Sequence, residues 1–331
     1  MTRLTNKQIK YRLWQLDKFL LNEYKEQSVQ KERDAALYEK EFRRRIKRAV
    51  KLLTPITDEA TKNLKVYRER GRKPELKPNE KLRLILIHQL FGKSNRMMSY
   101  MLLIFSLMTG INVSYKTVER LYSDEETEIA LHNLLILMLK KRKVKEIDAC
   151  GDATGYGLFI SKHYSSYAQK LKDKAKESKN TKKAFVYQFA LMDLRTRMYV
   201  CFGSSLVSEK QAFDKAMQML KELDIKIKSV RLDRYYSFPT YIKQFPNSTI
   251  YIIPRKNSKL GHGTQWLETM RRFLENTMKY LEEYFKRVNS ENGFGQDKRL
   301  FGDKVRQKRE DRIDTVLFCR GVWHNLLYLF G

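Results

Sequence analysis

Two aspartates stand in apolar, strand-like segments, where an isolated carboxylate is unusual. Asp152 lies in Gly151-Asp-Ala-Thr-Gly-Tyr-Gly157, and Asp233 ends a short apolar run that starts at Val230. Open α/β sheets present functional groups at the carboxyl ends of their strands, which makes Asp233 a candidate for such a group. Asp148 has the same strand parity as Asp152 and could share its face of the sheet.

Both aspartates also have a structural interpretation, which the sequence leaves open. Asp152 could be an ordinary turn or edge residue, although its apolar neighbours argue against this. Asp233 could be the N-cap of the helix that follows, although Ser237 can supply that cap instead.

A long helical pattern carries a third candidate carboxylate. Its apolar stripe recurs at about 100° per residue and consists of Trp266, Leu267, Met270, Leu274, Met278, Leu281, Phe285 and Val288. If the helix runs unbroken, one narrow arc at the edge of this stripe holds Tyr284, Arg287, Glu291 and Lys298. Such i,i+3 and i,i+4 patterns are common on helix surfaces, so the arc alone does not identify a site. The Asn-Gly pair that follows Glu291 predicts a break or kink there.

Carboxylates drawn together from distant parts of a chain suit metal-dependent phosphodiester chemistry. Cleavage and transfer of a phosphodiester use two divalent cations about 4 Å apart, which clamp the attacking and leaving oxygens. Mg²⁺ prefers hard carboxylate oxygen. An arginine adds a fork for phosphate and a lysine adds a point charge.

The overall charge is consistent with a substrate that is a polyanion. The 331 residues include 67 Lys and Arg against 38 Asp and Glu, a formal net charge of +29. This balance indicates a nucleic-acid partner and argues against an ordinary metabolic enzyme with a small neutral substrate. The apolar fraction of 42% excludes wholesale disorder, and the length predicts about two domains.

The cysteines and apolar runs indicate a cytosolic chain. Cys150, Cys201 and Cys319 are too few and too scattered for a disulfide framework or a structural zinc site, so we expect reduced core residues. The amino terminus lacks the apolar stretch of a signal peptide. The runs around 97–108 and 322–330 are too short or too polar to span a bilayer. We expect no membrane association.

The first 143 residues are predicted to be an all-α, basic, DNA-binding region in two parts. Residues 1–70 form a charged helical region with a dense basic cluster, namely Arg43, Arg44, Arg45, Lys47 and Arg48. This cluster is either a solvated helix face or a phosphate-binding surface. The second part, residues 71–143, begins with a break at Gly71–Pro78.

The second part contains a pattern typical of a helix-turn-helix. A helix capped by Asn79 comes first. A helix capped by Ser94 ends near Gly110, and Ser114 can cap a short helix that ends near Tyr122. In the short helix, Val118 and Leu121 would face inward, with Tyr115, Lys116 and Arg120 outward, as in a helix that reads a DNA groove. A plain basic helical hairpin is the alternative.

Residues 144–331 are predicted to form a second, α/β domain. Five strands are expected at 147–160, 184–192, 198–204, 230–233 and 249–254, with helices at 208–223, at 238–245 and after the fifth strand. This order predicts a mixed sheet with helices on its faces, as in ribonuclease-H-like nucleases and polynucleotidyl transferases. The insertion 169–183 is nearly all charged and is expected to be a flexible basic loop that could follow a DNA backbone.

With these motifs in order, residues 144–331 resemble the DDE transposases of prokaryotic insertion sequences. Asp152 in Asp-Ala-Thr matches the first aspartate of that family, and Asp233 in Asp-Arg-Tyr-Tyr matches the second. Tyr284-x2-Arg287-x3-Glu291-x6-Lys298 fits the Tyr-Arg-Glu-Lys signature of one large group at every position. A segment containing His324, which we expect to be structural, is also similar to the family's tail.

The resemblance implies a function and roles for these residues. Asp152, Asp233 and Glu291 would be catalytic and would bind two Mg²⁺ ions, for which Mn²⁺ can substitute. Tyr284, Arg287 and Lys298 would hold DNA phosphates. The protein would bind the ends of its own element as a homodimer, cut double-stranded DNA and join the 3′-hydroxyls to target DNA, in association with the nucleoid of a prokaryotic cytoplasm. The short stretch between Asp233 and Glu291 lacks a β-rich insertion found in many relatives, which argues against a hairpin intermediate.

Two alternatives remain. One is another ribonuclease-H-like nuclease, such as a junction resolvase, which the Arg and Lys of the signature disfavour. The other is a DNA-binding protein derived from a transposase that has lost its chemistry, which the three intact acidic positions disfavour.

Overall fold

The computed structural model describes residues 4–28, 34–64, 76–92, 94, 96–159, 185–260 and 263–330. The predicted loop 169–183 lies outside these residues, as does most of the break at Gly71–Pro78. Among the helices of the described part, none is both long and apolar enough to cross a membrane.

In the described part of the chain, seven helices precede the sheet. They are α1 (Asn6–Gln15), α2 (Leu21–Gln27), α3 (Ala35–Thr61), α4 (Pro78–Phe91), α5 (Ser99–Thr109), α6 (Tyr115–Leu121) and α7 (Glu125–Lys141), with a π-turn between α1 and α2 and a 3₁₀ turn before α5. Side-chain caps explain several of their starts: the hydroxyl of Ser114 accepts from the N–H of Thr117, and Asp124 accepts from the N–H of Thr127. The predicted helical N-terminal region is therefore confirmed.

The remaining elements alternate between strands and helices. In order they are β1 (Glu146–Leu158), β2 (Phe185–Asp193), β3 (Tyr199–Ser205), α8 (Glu209–Lys221), β4 (Lys226–Leu232), α9 (Pro239–Ile242), β5 (Thr249–Tyr251), α10 (Thr264–Glu275), α11 (Thr277–Phe285), α12 (Val288–Phe301), β6 (Lys304–Val305) and α13 (Glu310–Tyr328). The five predicted strands and the helix between the third and fourth are all present. The predicted class, a mixed sheet flanked by helices, is confirmed.

The sheet has the strand order β3-β2-β1-β4-β5, and β6 pairs with the far end of β1. β1 and β2 pair antiparallel, as do β2 and β3, whereas β4 runs parallel to both β1 and β5. β1 is therefore central. The parallel register aligns Gly151 with Leu232. The next residues, Asp152 and Asp233, therefore lie side by side where β4 ends.

Alternation along β1 sends successive side chains to opposite faces of the sheet. Thr154 accepts a hydrogen bond from Lys298 of α12, and the Tyr156 ring lies under Arg320 of α13. Asp152 has the same parity as these two residues. The side chain of Asp152 therefore belongs to the face covered by α12 and α13, while α8 covers the opposite face.

The prediction of a single long helix after β5 is wrong. Three helices, α10, α11 and α12, replace it, with breaks at Asn276 and at Lys286–Arg287. Asn276 has non-helical backbone, and its side chain caps α11 by accepting from the N–H of Lys279. The predicted break after Glu291 does not occur, because α12 runs without interruption through Gly293 and Gly295.

The helix-turn-helix region differs from its prediction in detail. Ser94 accepts from the N–H of Met97, as predicted, but it caps a 3₁₀ turn. Asn79 does not cap α4. That helix starts at Pro78, and the amide of Asn79 donates to Asp58 of α3. Tyr115, which was predicted to point outward, is half-buried against the core.

The C-terminal helix α13 joins the N-terminal helices to the sheet. Trp323, which is fully buried, donates its indole N–H to the carbonyl of Leu86 in α4 at 2.8 Å. Arg312 pairs with Glu119 of α6 at 2.6 Å. Asn325 makes two bonds to the backbone of Tyr199 in β3. The described helices and strands consequently share one hydrophobic core, in which the free thiols of all three cysteines are buried, as predicted.

Glycine substitutions test the packing of the sheet against α8. A Cβ on Gly203 of β3 would lie 2.3 Å from the carbonyl oxygen of Ala212 and 2.6 Å from the amide nitrogen of Ala216. Both atoms belong to backbone, which cannot rotate away. We expect Gly203→Ala to lower the free energy of unfolding by about 3 kcal/mol, measured by urea denaturation.

Gly295→Ala in α12 is the matched control. A Cβ there would meet nothing within 4 Å, and alanine favours a helix over glycine by about 1 kcal/mol. This variant should be as stable as the wild type or more so. Equal losses from both substitutions would show that β3 and α8 are not in close contact.

Candidate active site

Two of the candidate carboxylates, Asp233 and Glu291, contact one guanidinium, and the third, Asp152, lies within range of its charge. Arg287 lies between α11 and α12, where its Nη1 donates to Oε1 of Glu291 at 2.5 Å. Its Nη2 lies 3.7 Å from Oδ1 of Asp233. Arg287 also acts electrostatically on Asp152. The break at Lys286–Arg287, which the sequence did not predict, thus places Arg287 beside the middle of β1 and the end of β4.

The pKa of the Asp152 carboxyl group depends on burial and on its acidic neighbours Glu291 and Asp233. Burial raises its pKa to about 6. The N–H of Ala153 and the Arg287 guanidinium lower this pKa, whereas Glu291 and Asp233 raise it. A carboxylate in this environment is stabilised by added positive charge.

Asp233 combines the two interpretations that the sequence left open. It follows β4, beside Asp152, and it also caps the 3₁₀ turn Arg234–Tyr236 by accepting from the N–H of Tyr235 at 3.3 Å. Its other oxygen, Oδ1, faces Arg287. The cap fixes one oxygen and leaves the other directed at the site.

The two remaining signature residues flank the carboxylates. Tyr284, nearly buried at the end of α11, lies with its ring 5.4 Å from the Arg287 guanidinium carbon, and burial raises its pKa to about 12. Lys298 donates to the hydroxyl of Thr154 at 2.6 Å. Burial lowers the pKa of Lys298, which Asp303 partly offsets. The four signature residues therefore lie on one side of the sheet end, although two helices rather than one carry them.

Buried polar contacts hold α12 against the sheet. Asp297, next to Lys298 in the chain, accepts from the hydroxyl of Tyr199 at 2.8 Å and pairs with Nδ1 of His324 at the same distance. His324 is fully buried, and its other ring nitrogen contacts the carbonyl of Arg197, so this histidine is structural, as expected. A Cβ on Gly293 would lie 2.9 Å from the Tyr199 hydroxyl. Gly293 is therefore needed for close packing and does not break the helix.

A second buried network fixes α11. Arg231, only 4% exposed and two residues before Asp233, donates to both the carbonyl and the carboxylate of Glu283. Its Nη1 lies 3.8 Å from Asp148, which also accepts from Ser229. Asp148 is therefore part of this supporting network, four residues along β1 from Asp152.

The sequence did not single out Glu209, a fourth carboxylate near the site. Glu209 accepts from the hydroxyl of Tyr236 at 2.6 Å, and burial, with a contribution from Asp233, raises its pKa. It occupies the first turn of α8, where acidic residues are common for helix-dipole reasons. Because its place in the first turn of a helix already explains an acidic residue there, nothing in the sequence indicated that Glu209 lies near Asp233.

The carboxylate oxygens of the site suit a hard cation, but in this structure the Arg287 guanidinium lies among them. Carboxylate oxygens are what Mg²⁺ prefers, and Asp152, Asp233 and Glu291 all interact with the same guanidinium. Within the described residues, no three His, Cys, Asp or Glu side chains are arranged to hold a metal ion as they stand. A metal at this site therefore requires Arg287 to release its carboxylates.

The predicted basic surfaces have different exposures. On α3, Arg43, Arg44 and Lys47 are exposed. Arg45 is half-buried, pairs with Glu41 and lies over the ring of Tyr328. Arg48 is exposed but donates to the carbonyl of Phe330.

The basic side chains of α6 and α12 extend this picture. On α6, Arg120 is exposed, as is Lys116, which pairs with Glu119. The exposed Arg299 of α12 contacts Tyr38 of α3 with a guanidinium-to-ring distance of 5.7 Å. Through Arg299, the helix that carries Glu291 contacts α3 near its first turn.

A comparison with known proteins finds a close relative. The probable transposase for insertion sequence element ISA1214 of Archaeoglobus fulgidus is 41% identical over 311 residues, which cover 93% of this chain and 92% of that protein. No family model matches the chain, and no solved structure matches it. On the strength of this similarity over nearly the whole of both proteins, the chain belongs to the family of insertion-sequence transposases.

Proposed function

We propose that this protein is a DDE transposase that cuts DNA at the ends of its own insertion element and joins the freed 3′-hydroxyls to target DNA. The observation that carries the proposal is the convergence of Asp152, Asp233 and Glu291 on Arg287 at the end of the sheet. The transposase relative supports strand cleavage and transfer in general. The geometry supports the DDE class.

In this proposal Asp152, Asp233 and Glu291 hold two Mg²⁺ ions, and Mn²⁺ can take their place. When bound, such ions activate the attacking oxygen and stabilise the leaving one. Arg287 moves from the carboxylates to a phosphate of the substrate, which offers it the same bidentate contact. Tyr284 donates a hydrogen bond to phosphate because its phenol stays protonated. Lys298 holds a phosphate beside Thr154.

The sheet supports a ribonuclease-H-like assignment. The strands β3, β2 and β1 pair antiparallel, and β4 and β5 are parallel to β1. The central strand β1 carries Asp152 beside the end of its parallel neighbour β4, which Asp233 follows. The third carboxylate comes from a helix on one face. This arrangement supplies carboxylates from rigid elements, as metal-dependent phosphoryl transfer needs.

The substrate in this proposal is double-stranded DNA that extends from the carboxylates across α12 to the outward face of α3. Arg43, Arg44 and Lys47 contact phosphates there, and Lys116 and Arg120 of α6 contact DNA further along. Two copies act on paired element ends.

Substitution of the carboxylates tests the chemistry. Asp233→Asn and Glu291→Gln should each lower the rate of Mg²⁺-dependent cleavage of a duplex carrying the element's ends by more than about 100-fold, since even outer-shell changes at metal sites cost 10- to 100-fold. Binding of the same duplex should persist, because each change removes a negative charge near phosphate.

Glu282→Gln is the matched control for that assay. It makes the same change at an exposed position of α11 and should cleave at the wild-type rate. Binding without cleavage by the wild type itself would favour the alternative, a DNA-binding derivative without chemistry.

Arg287→Gln separates metal binding from cleavage. Without the guanidinium, Asp233 and Glu291 lose their cation and repel each other, so we expect Mn²⁺ affinity without DNA to rise about tenfold, or 1.4 kcal/mol, measured by electron paramagnetic resonance. Cleavage should fall, because phosphate loses its fork. Arg195→Gln, at an exposed position between β2 and β3, should change neither quantity. A fall in both affinity and cleavage would make Arg287 a structural residue.

The salt dependence of DNA binding tests the α3 surface. Arg44→Ala/Lys47→Ala should make the slope of log K against log salt less negative by about 0.9 for each lost phosphate contact. The control, Lys226→Ala/Lys228→Ala, removes two exposed lysines from the opposite end of β4 and should leave the slope unchanged. Equal slopes in all three proteins would place the DNA elsewhere.

A further inference from the structure

Helix α5 has apolar side chains on two opposite faces. Its inner face meets the core through Leu102, which is 5% exposed, and through the half-buried Phe105. Its outer face carries Tyr100, Leu103, Ile104 and Leu107, which are 80%, 65%, 50% and 80% exposed. A surface helix normally presents polar residues outward, so the outer face is unusual.

The outer residues form a continuous stripe. Positions 100, 103, 104 and 107 follow i, i+3, i+4 and i+7, the spacing of a buried helix face. Met97, 52% exposed in the preceding 3₁₀ turn, extends the stripe by one turn. Contiguous exposed apolar surface of this kind marks a contact with another molecule.

The charge of the region limits what that molecule is. Residues 97–115 contain no Asp, Glu, Lys, Arg or His, in a chain with 67 Lys and Arg among 331 residues. The stripe itself therefore has no cation with which to bind phosphates or an acidic protein; the exposed Arg96 lies just before it. The chain's excess positive charge would hold two copies apart at most other faces, but here their backbones can approach without opposing lysines or arginines.

We propose that α5 is a self-association surface, on which the outer stripe packs against the same stripe of a second copy about a two-fold axis. An isologous contact needs a surface complementary to itself, and an uncharged stripe of Leu, Ile and Tyr knobs meets that requirement. A stable interface buries about 800 Å² on each partner; the stripe forms its apolar centre. Repulsion between the remaining charges is screened beyond about 8 Å at physiological salt.

This inference does not depend on the proposed function, because DNA takes no part in the contact. It names the surface by which two copies would meet before either binds an element end. The carboxylate substitutions above would leave it intact, so its failure and the failure of the proposed chemistry can be told apart.

Sedimentation velocity of the full chain without DNA is the first experiment. We expect a dimer that becomes more stable as NaCl is raised, since salt screens the repulsion between two cationic copies and favours apolar burial. Leu103→Glu/Leu107→Glu should sediment as a monomer with an unchanged circular dichroism spectrum and melting temperature. Leu37→Glu/Ile129→Glu, which alters two exposed apolar residues on α3 and α7, should remain a dimer.

A cysteine variant gives a second readout that does not introduce charge into the helix. The three native cysteines are buried, so Leu103→Cys adds an exposed thiol near the proposed axis. Mild oxidation should give a disulfide-linked dimer of this variant and none of Leu37→Cys. A monomeric wild type, a dimer that weakens with salt, a dimer that survives both glutamates, or equal cross-linking of the two cysteine variants would each overturn the proposal.

Discussion

The contact of Arg287 with Asp233 and Glu291 is the interaction around which this end of the molecule is organised. Three carboxylates side by side repel one another, and the raised pKa of Asp152 reflects both its burial and that repulsion. One guanidinium offsets this cost because its two nitrogens face two different elements, the end of β4 and the first turn of α12. The chain must break between α11 and α12 to place it there.

The supporting networks follow from that requirement. Arg231 fixes the end of α11 through Glu283, and Asp297 fixes the middle of α12 through Tyr199 and His324. The two anchors lie on either side of the break and are nearly buried. Each helix is thereby attached to the sheet independently, so the turn between them is positioned from both ends.

Much of the fold could be predicted from local pattern, because alternation and turn chemistry are local properties. The strands belong to this class, whereas the parallel pairing of β1 with β4 that sets Asp152 beside Asp233 joins distant parts of the chain. The break at Asn276 could not be predicted from the apolar stripe, since the stripe continues from α10 into α11 with nearly the same phase. Gly293 misled for a related reason: its role is to admit Tyr199, a residue far away in the chain.

The side-chain partners of Lys298 and Arg287 also could not be predicted from the sequence. The signature spacing indicated which residues belong together, but the contact of Lys298 with Thr154 depends on how α12 crosses β1. Likewise, the basic cluster on α3 did not show that Arg45 and Arg48 face the end of α13. Periodicity gives the face of a helix, whereas tertiary packing decides what covers that face.

The placement of α13 has a consequence for how the chain folds. This helix follows every strand in the sequence, yet it contacts α3, α4, α6, α7 and β3. The N-terminal helices pack on one another but cannot complete the burial of their apolar faces until α13 has been synthesised. Contacts of such large sequence separation slow folding. During translation, the basic helices would leave the ribosome first and remain partly exposed until α13 is made. The bond from Trp323 to Leu86, for example, spans 237 residues.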